Sequence, residues 1–344
     1  MIDGYLDGVR KTGTVRLSRT LALADPSAFP EERGATVTVE DAEGNLFALN
    51  ELQHGVYQAD ELPLITDAVY RLHVKTANGS SYTSEDLTLR QSPPFDSLYW
   101  FPEEDGVHLY VDAHDPTNTQ KYYRYRFDET WEYRAPIFSR YKIGPTGYPV
   151  KRKDNEFVDV CWSATSSSSI LITNTTSQSE DKVSMYPIHT IKAGSRMLQE
   201  TYSILVQQRS MSQAEYSFWD RLQKTSESLG GLFDPIPGQI TGNMHNDNQS
   251  LEPVLGYFSG GFPREKRIFI TYDDLPKDLK HFEPLDYSCS ISKVSLSHLP
   301  DMSDKMFVDM GEDPTVGDFY ITTTKCGDGR YLGGDTIRPK FWPQ

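Results

Sequence analysis

Twenty-one prolines and 24 glycines are spread along the chain, so turn residues interrupt it every few positions. That spacing is what many short strands joined by turns require. Aromatic content points the same way: 20 Tyr and 16 Phe make the sequence too aromatic for a disordered chain. Tyrosine suits a half-buried pleated surface, where the ring packs and the hydroxyl stays in water. At 344 residues the chain is comfortable as two domains. The expected fold class is mostly β.

The first ninety residues carry period-2 alternation with turns about every 8–12 residues. Thr36-Val37-Thr38-Val39-Glu40 leads into the turn Ala42-Glu43-Gly44-Asn45, then Leu46-Phe47-Ala48-Leu49. Another strand opens at Gly55-Val56-Tyr57, and Tyr70, Leu72 and Val74 alternate with Arg71, His73 and Lys75. This is the signature of a small β-sandwich. His54 and His73 fall on polar faces or turns, and Asn78-Gly79 supplies a hairpin turn. Pro93-Pro94 cannot continue a ladder, so the expected boundary divides a sandwich over 1–93 from a larger β-rich domain, sandwich or barrel-like, over 94–344.

Beyond that boundary Tyr123, Tyr125 and Phe127 form one face of a strand whose other face is Tyr122, Arg124 and Arg126. Val158, Val160 and Trp162 alternate with Phe157, Asp159 and Cys161, and Ile268, Ile270 and Tyr272 continue the theme. The serine-rich run 163–169 reads as a flexible loop. One segment is different: Ser212-Gln213-Ala214-Glu215 is a capping box with a Met211/Tyr216 staple. Tyr216, Trp219, Leu222 and Leu229 then recur near helical spacing, and Gly230-Gly231 supplies a stop. A helix over 212–229 is expected, its stripe packed on a sheet. Residues 232–243, with two prolines and two glycines among large apolar side chains, read as ordered but non-repetitive.

Net charge is −15, which disfavours nucleic acid and other anionic partners. The basic runs at 264–267 and 151–153 read as solvated turns. No stretch approaches the roughly 20 apolar residues of a membrane span. Met1 to Tyr5 reads as a strand edge and not as a signal peptide, so the expectation is either a cytosolic protein or one whose targeting segment has been removed. Cys161, Cys289 and Cys326 lack zinc or redox spacing, and one disulfide with one buried thiol would fit an oxidising compartment.

Local catalytic signatures are missing. There is no nucleophile elbow around Ser259-Gly260-Gly261, no His-Glu-x-x-His, no phosphate-binding loop and no dinucleotide fingerprint. His108 and His114 lie near Asp105, Asp112 and Asp115, a pattern that could hold a metal but arises easily in an acidic chain. Asp301, Asp304, Asp309, Glu312, Asp313 and Asp318 lack the calcium-loop order and read as a solvated acidic loop. Neither a cofactor nor a metal is expected. A carboxylate pair meeting only in space, as in glycoside hydrolysis, stays open.

Several segments together resemble a known family. Asp3-Gly4-Tyr5-Leu6, Val15-Arg16-Leu17-Ser18, residues 34–39, Gly55-Val56-Tyr57 and Asp96-Ser97-Leu98-Tyr99 carry its early part. Residues 232–243, Gly256-Tyr257-Phe258, Cys326-Gly327-Asp328 and the closing Pro339-Lys340-Phe341-Trp342 carry the rest. The chain is similar to the Bacteroidota outer-membrane lipoproteins filed as domain of unknown function 4249, over essentially its whole length. The resemblance implies an immunoglobulin-like or carboxypeptidase-regulatory-like sandwich followed by a second β-rich domain. It also implies a TonB-dependent transporter as partner and a lipid anchor, borne on a cysteine that would precede Met1, as the membrane link. No catalytic or ligand residues carry over. Gly329 stands where relatives often place a second cysteine, so a bridge between Cys326 and Cys289 is a hypothesis resting on their shared C-terminal region.

The functional expectation is a non-catalytic, cell-surface accessory lipoprotein that helps capture a peptide, glycan or chelated metal. Tyr99, Trp100 and Trp131 are candidate ligand contacts, as aromatics placed in loops. The alternatives are an adhesive surface protein without a small ligand and, third, a glycan hydrolase.

Overall fold

The computed structural model describes residues 1–19, 31–145, 148–227, 240–249, 253–283, 285–295, 301–310 and 318–343. The chain is mostly β. Its first sheet is built from β1 (Ile2–Asp7), β2 (Thr12–Leu17), β3 (Thr36–Asp41), β4 (Leu46–Gln53), β5 (Val56–Ala59), β6 (Val69–Lys75), β7 (Ser81–Ser84) and the short β8 (Leu87–Thr88). Their order is β7-β6-β3-β4-β5-β2-β1, with β8 beside β6. The first half of β4 pairs with β3 and its second half with β5, with a register shift between Glu51 and Gln53. That handover folds the sheet over its own apolar face. Leu6, Val15, Val39, Leu72 and Leu89 are fully buried in the core it encloses. The period-2 pattern read from the sequence holds, with Tyr70, Leu72 and Val74 buried in β6.

A second sandwich begins after Pro93-Pro94. Its strands are β9 (Phe95–Glu103), β10 (Gly106–His114), β11 (Tyr122–Arg134), the hairpin β12 (Tyr141–Ile143) and β13 (Pro149–Lys151), β14 (Val160–Ser166), β15 (Leu171–Asn174), β16 (Lys182–Lys192) and β17 (Thr201–Ser210). Sheet β16-β10-β9 faces a sheet in which β11 is flanked by β14 and β15 on one side and β17 on the other. Val107, Leu109 and Val111 meet Tyr123, Tyr125, Tyr202 and Ile204 between the layers. Because strand side chains alternate, Arg124 and Arg126 of β11 must then lie on the sheet's outer face.

Helix α1 (Gln213–Glu227) follows β17, with the Ser212 oxygen accepting from the Glu215 amide. Its most buried residues are Glu215 and Phe218. Tyr216, Trp219 and Leu222 of the expected stripe are only half-buried. The stripe is displaced because Glu215 is drawn inward by Arg209, at 2.6 Å, and Phe218 with it. Leu229, Gly230, Gly231 and residues 232–239 lie outside the described residues.

The chain then returns to the first sandwich. β18 (Met244–Asn246) pairs with β7, and β19 (Phe258–Gly261) runs parallel to β1, so both edges of the first sheet are taken by strands from beyond the Pro93-Pro94 boundary. Asn243 joins those edges: its side chain donates to the Phe258 carbonyl and accepts from the Phe258 amide, both at 2.8 Å. Gly256 has φ +103°, and a Cβ there would lie 2.0 Å from the Ile2 carbonyl oxygen. Only glycine permits that approach.

β20 (Arg264–Thr271) completes the outer edge of the second sandwich against β17. A small sheet, β21 (Ser292–Ser295), β22 (Lys305–Met310) and β23 (Asp318–Thr323), in the order β21-β23-β22, packs around Phe307, Phe319 and Ile321. The short helix α2 (Thr324–Gly327) follows, and Cys326 in it is disulfide-bonded to Cys289, while Cys161 is a buried free thiol. Trp342 docks on the outer face of the second sandwich, donating to Glu132 at 3.0 Å and meeting Trp162 and Phe269 edge-on.

Three loop readings are corrected in part, while residues 167–169 and the exposed Asp301 and Asp304 do lie outside the strands. Ser163 to Ser166 belong to β14, held by pairing with β11. The basic run 264–267 opens β20, where Arg267 stacks on Phe341, and Lys151 ends β13. Of the acidic stretch, Asp309 sits in β22 and Asp318 in β23, the latter paired with Lys293 at 2.8 Å; Glu312 and Asp313 lie outside the described residues. In each case cross-strand pairing and packing overrode local polarity.

Candidate functional site: an arginine-lined cleft between the sandwiches

The junction of the two sandwiches is tied by backbone as well as side chains. Gln208, fully buried in β17, donates to the Pro93 carbonyl at 2.8 Å, and the Ser210 amide donates to Ser92 Oγ at 2.9 Å. Arg10, in the turn after β1, bonds Glu265 of β20 at 2.7 Å. Between these ties the outer face of β11 and β17 opposes β1 and β2, leaving a cavity of about 280 Å³.

Register decides what lines it. Arg124 lies directly opposite Arg209, and Arg126 opposite Gln207. Like charges directly opposed across a ladder are destabilising. Arg209 has an answer in Glu215, yet its Nη1 is buried without a hydrogen-bond partner. Burial works against the Arg209 charge, and Glu215 more than restores it. Arg124 is 7% exposed and stacks on Trp219 at 3.4 Å from the ring centroid. Burial, then the charges of Arg209 and Arg126, push the Arg124 guanidinium down to about 8. Among the described residues, neither Arg124 nor Arg126 makes a side-chain hydrogen bond or ion pair.

Tyr5 adds a fourth donor. Its ring lies under Arg209, 5.1 Å away, and its hydroxyl is buried and unpartnered. Burial raises the phenol to about 12, so it stays protonated. Asp3 is the one carboxylate lining this cavity, beside Arg16, Arg124, Arg126 and Arg209. A second cavity, of about 620 Å³, shares Arg124, Arg126 and Gln207 and continues toward Trp219, Leu222 and Ser166–Ser169. Neither lining includes histidine or cysteine. The arrangement can hold a ligand with hydrogen-bond donors at one end and an aromatic wall at the other. A further cavity of about 500 Å³ beside β2 and β7 differs, because its Arg19 is already paired with Glu32.

The candidate contacts read from the sequence lie elsewhere. Tyr99 and Trp100 are consecutive in β9, a strand and not a loop, so they point to opposite faces. Tyr99 joins Phe101 and Tyr110 in a surface ladder with centroids 5.4–6.2 Å apart. Trp100 and Trp131 pack against the core of the second sandwich, and Trp131 belongs to β11. His108 and His114 sit six residues apart in β10, roughly 20 Å along a strand, with separate partners in Asp105 and Asp96. Asp112 bonds Ser97, Tyr99 and the Met185 amide instead, and Asp115 caps its own turn. Glu103, Asp105 and His108 do come within 4.8 Å of one another, on an exposed rim.

A family model described as Domain of unknown function (DUF4249) matches residues 1–267. The chain belongs to this family. The match takes in both walls of the cleft, from β1 through the opening residues of β20. No curated protein matches. Among solved structures, the crystal structure of chicken CNTN1 FN1-FN3 domains is 11% identical with a TM-score of 0.23, over 61% of this chain and 60% of that one. The chain thus spans about three-fifths of that structure.

Sequence reasoning placed Arg124 and Arg126 on one face of a strand but left the cleft unassembled. The available signal was that Arg124 and Arg126 share the face opposite the aromatic one of Tyr123, Tyr125 and Phe127. What it could not supply was Arg209 and Tyr5, which reach the same place from 83 or more residues away in the chain.

Proposed function

We propose that this protein is a cell-surface accessory lipoprotein that captures a small nutrient and presents it to a TonB-dependent outer-membrane transporter. The observation that carries the reading is the donor-rich cleft at the tied junction of the two sandwiches, a common place for small-molecule sites. The Cys289–Cys326 disulfide supports an oxidising compartment. The nutrient is a peptide, glycan or chelated metal, and the membrane link is a lipid anchor preceding Met1. The test is purification of the native lipoprotein from its own membranes: a co-purifying transporter is expected, and repeated recovery without one counts against the reading.

A second reading, as an adhesive surface protein, draws on the exposed Tyr99-Phe101-Tyr110 ladder, where Phe101 is 48% exposed. Phe101→Ala with Tyr110→Ala would then abolish surface attachment while leaving the cleft untouched. Unchanged attachment would remove this reading.

A further inference from the structure

We propose that the cleft recognises an anionic group of the captured nutrient, a carboxylate or a phosphate, held by Arg124 and Arg126 with the Tyr5 hydroxyl as an added donor. This assignment rests on the capture reading above and names the chemistry of its ligand.

Four observations carry it. First, the chain bears a net charge of −15, yet this one cavity gathers Arg16, Arg124, Arg126 and Arg209 against Asp3 alone. Second, Arg124 and Arg209 are directly opposed across the ladder, and of the two only Arg209 has a carboxylate in contact, Glu215. Third, Arg124 is buried, with no side-chain hydrogen bond among the described residues, although a buried guanidinium ordinarily has its donors satisfied. Trp219 supports its flat face and leaves its edge available. Fourth, Tyr5 Oη and Arg209 Nη1 are buried donors without acceptors, and Tyr5 and Arg209 both line the same cavity.

One oxyanion supplies what all of these lack, since carboxylate and phosphate oxygens accept several charge-assisted bonds at once and match the guanidinium fork. Arg126, open to solvent, stands at the mouth, and Arg124 lies deeper. The adjoining cavity, with Trp219, Leu222 and the hydroxyls of Ser166–Ser169, gives room for an organic body behind the anionic group. A small organic anion therefore fits better than a bare inorganic one, although both share the recognised group.

The test is calorimetric titration of the full chain at low ionic strength with inorganic phosphate and, separately, citrate. Binding of at least one is expected, and the stronger of the two tells phosphate from carboxylate. Arg126→Gln should weaken that binding about tenfold or more, since a charge-assisted bond is lost. Asp3→Asn removes the opposing carboxylate and should tighten binding roughly threefold, an effect that a purely structural role for the arginines does not produce. Both positions are exposed, so circular dichroism should report an unchanged fold. No binding of either anion, or equal binding by wild type and Arg126→Gln, overturns the assignment. A thermal shift with a neutral glycan or peptide in the absence of anion binding sinks the anion and spares the capture reading. Absence of binding together with recovery free of any transporter sinks both.

Discussion

Glu129 is a carboxylate pointing into the second sandwich, 6% exposed, where an unpaired charge would be costly. Tyr202 donates to it at 2.8 Å and His189 approaches the same oxygen at 3.3 Å. Tyr202→Phe removes one donor without opening a cavity, so urea unfolding should report a loss of about 1–3 kcal/mol. Asp115 presents the converse case. Burial works against its charge, but bonds from the Thr117 hydroxyl and the amides of Gln120, Thr119 and Thr117 outweigh that and hold its carboxyl well below the usual range. A depressed folded-state pKa contributes stability that is fully present above the unfolded value near 3.9 and is lost as pH falls toward the folded value. Asp115→Asn should therefore destabilise at pH 7, and the gap from wild type should narrow as pH drops below about 4. A pH-independent gap in denaturation midpoints would contradict this account. The Glu129 pairing was not legible in the sequence, because Glu129 and Tyr202 are 73 residues apart and meet only through register, whereas the partners of Asp115 lie within five residues of it.

At the scale of elements, the closure of the first sheet depends on two positions. Gly256 lets the chain pass over the Ile2 carbonyl, and Asn243 bridges to Phe258 on the facing edge. Gly256→Ala should cost about 1–3 kcal/mol, from the strained backbone and the clash together. Hydrogen exchange should then speed up at β18, β19 and β1 more than in the second sandwich. Equal acceleration everywhere would mean that these strands do not form a local unit. The sequence flagged Gly256-Tyr257-Phe258 as a family motif without giving its physical role. That role appears only when β19 is laid parallel to β1, a pairing across more than 250 residues. The capped start of α1 was legible because capping is local, as Ser212 shows. Its inward face was not, because Arg209 selects which turn of the helix is buried.

For the whole molecule, the small C-terminal sheet has a core of only a few large side chains and is held partly by Cys289–Cys326. A cross-link of 37 residues separation stabilises by about 2–4 kcal/mol, mainly through the unfolded state. Reduction, or Cys289→Ser, should lower the thermal midpoint of this region while β11 and β17 keep their exchange protection. Coincident melting of the whole chain would show that the region and the second sandwich unfold as one. The same scale governs the cleft, whose walls belong to different sandwiches and whose shape is fixed by Gln208, Ser210 and Arg10 acting across the junction.

Sequence alone determined the β character, the short strands of the first sandwich, the capped helix and the absence of any local catalytic signature. Each rests on spacing within a few residues: alternation, capping and turn chemistry. The tertiary structure decided everything that depends on distant partners. It moved Tyr99, Trp100 and Trp131 out of one imagined surface, because adjacent strand residues cannot share a face. It returned β18 and β19 to the first sheet and set Arg124 opposite Arg209. Register and burial make a site from those arginines, and neither is a property of any short stretch of chain.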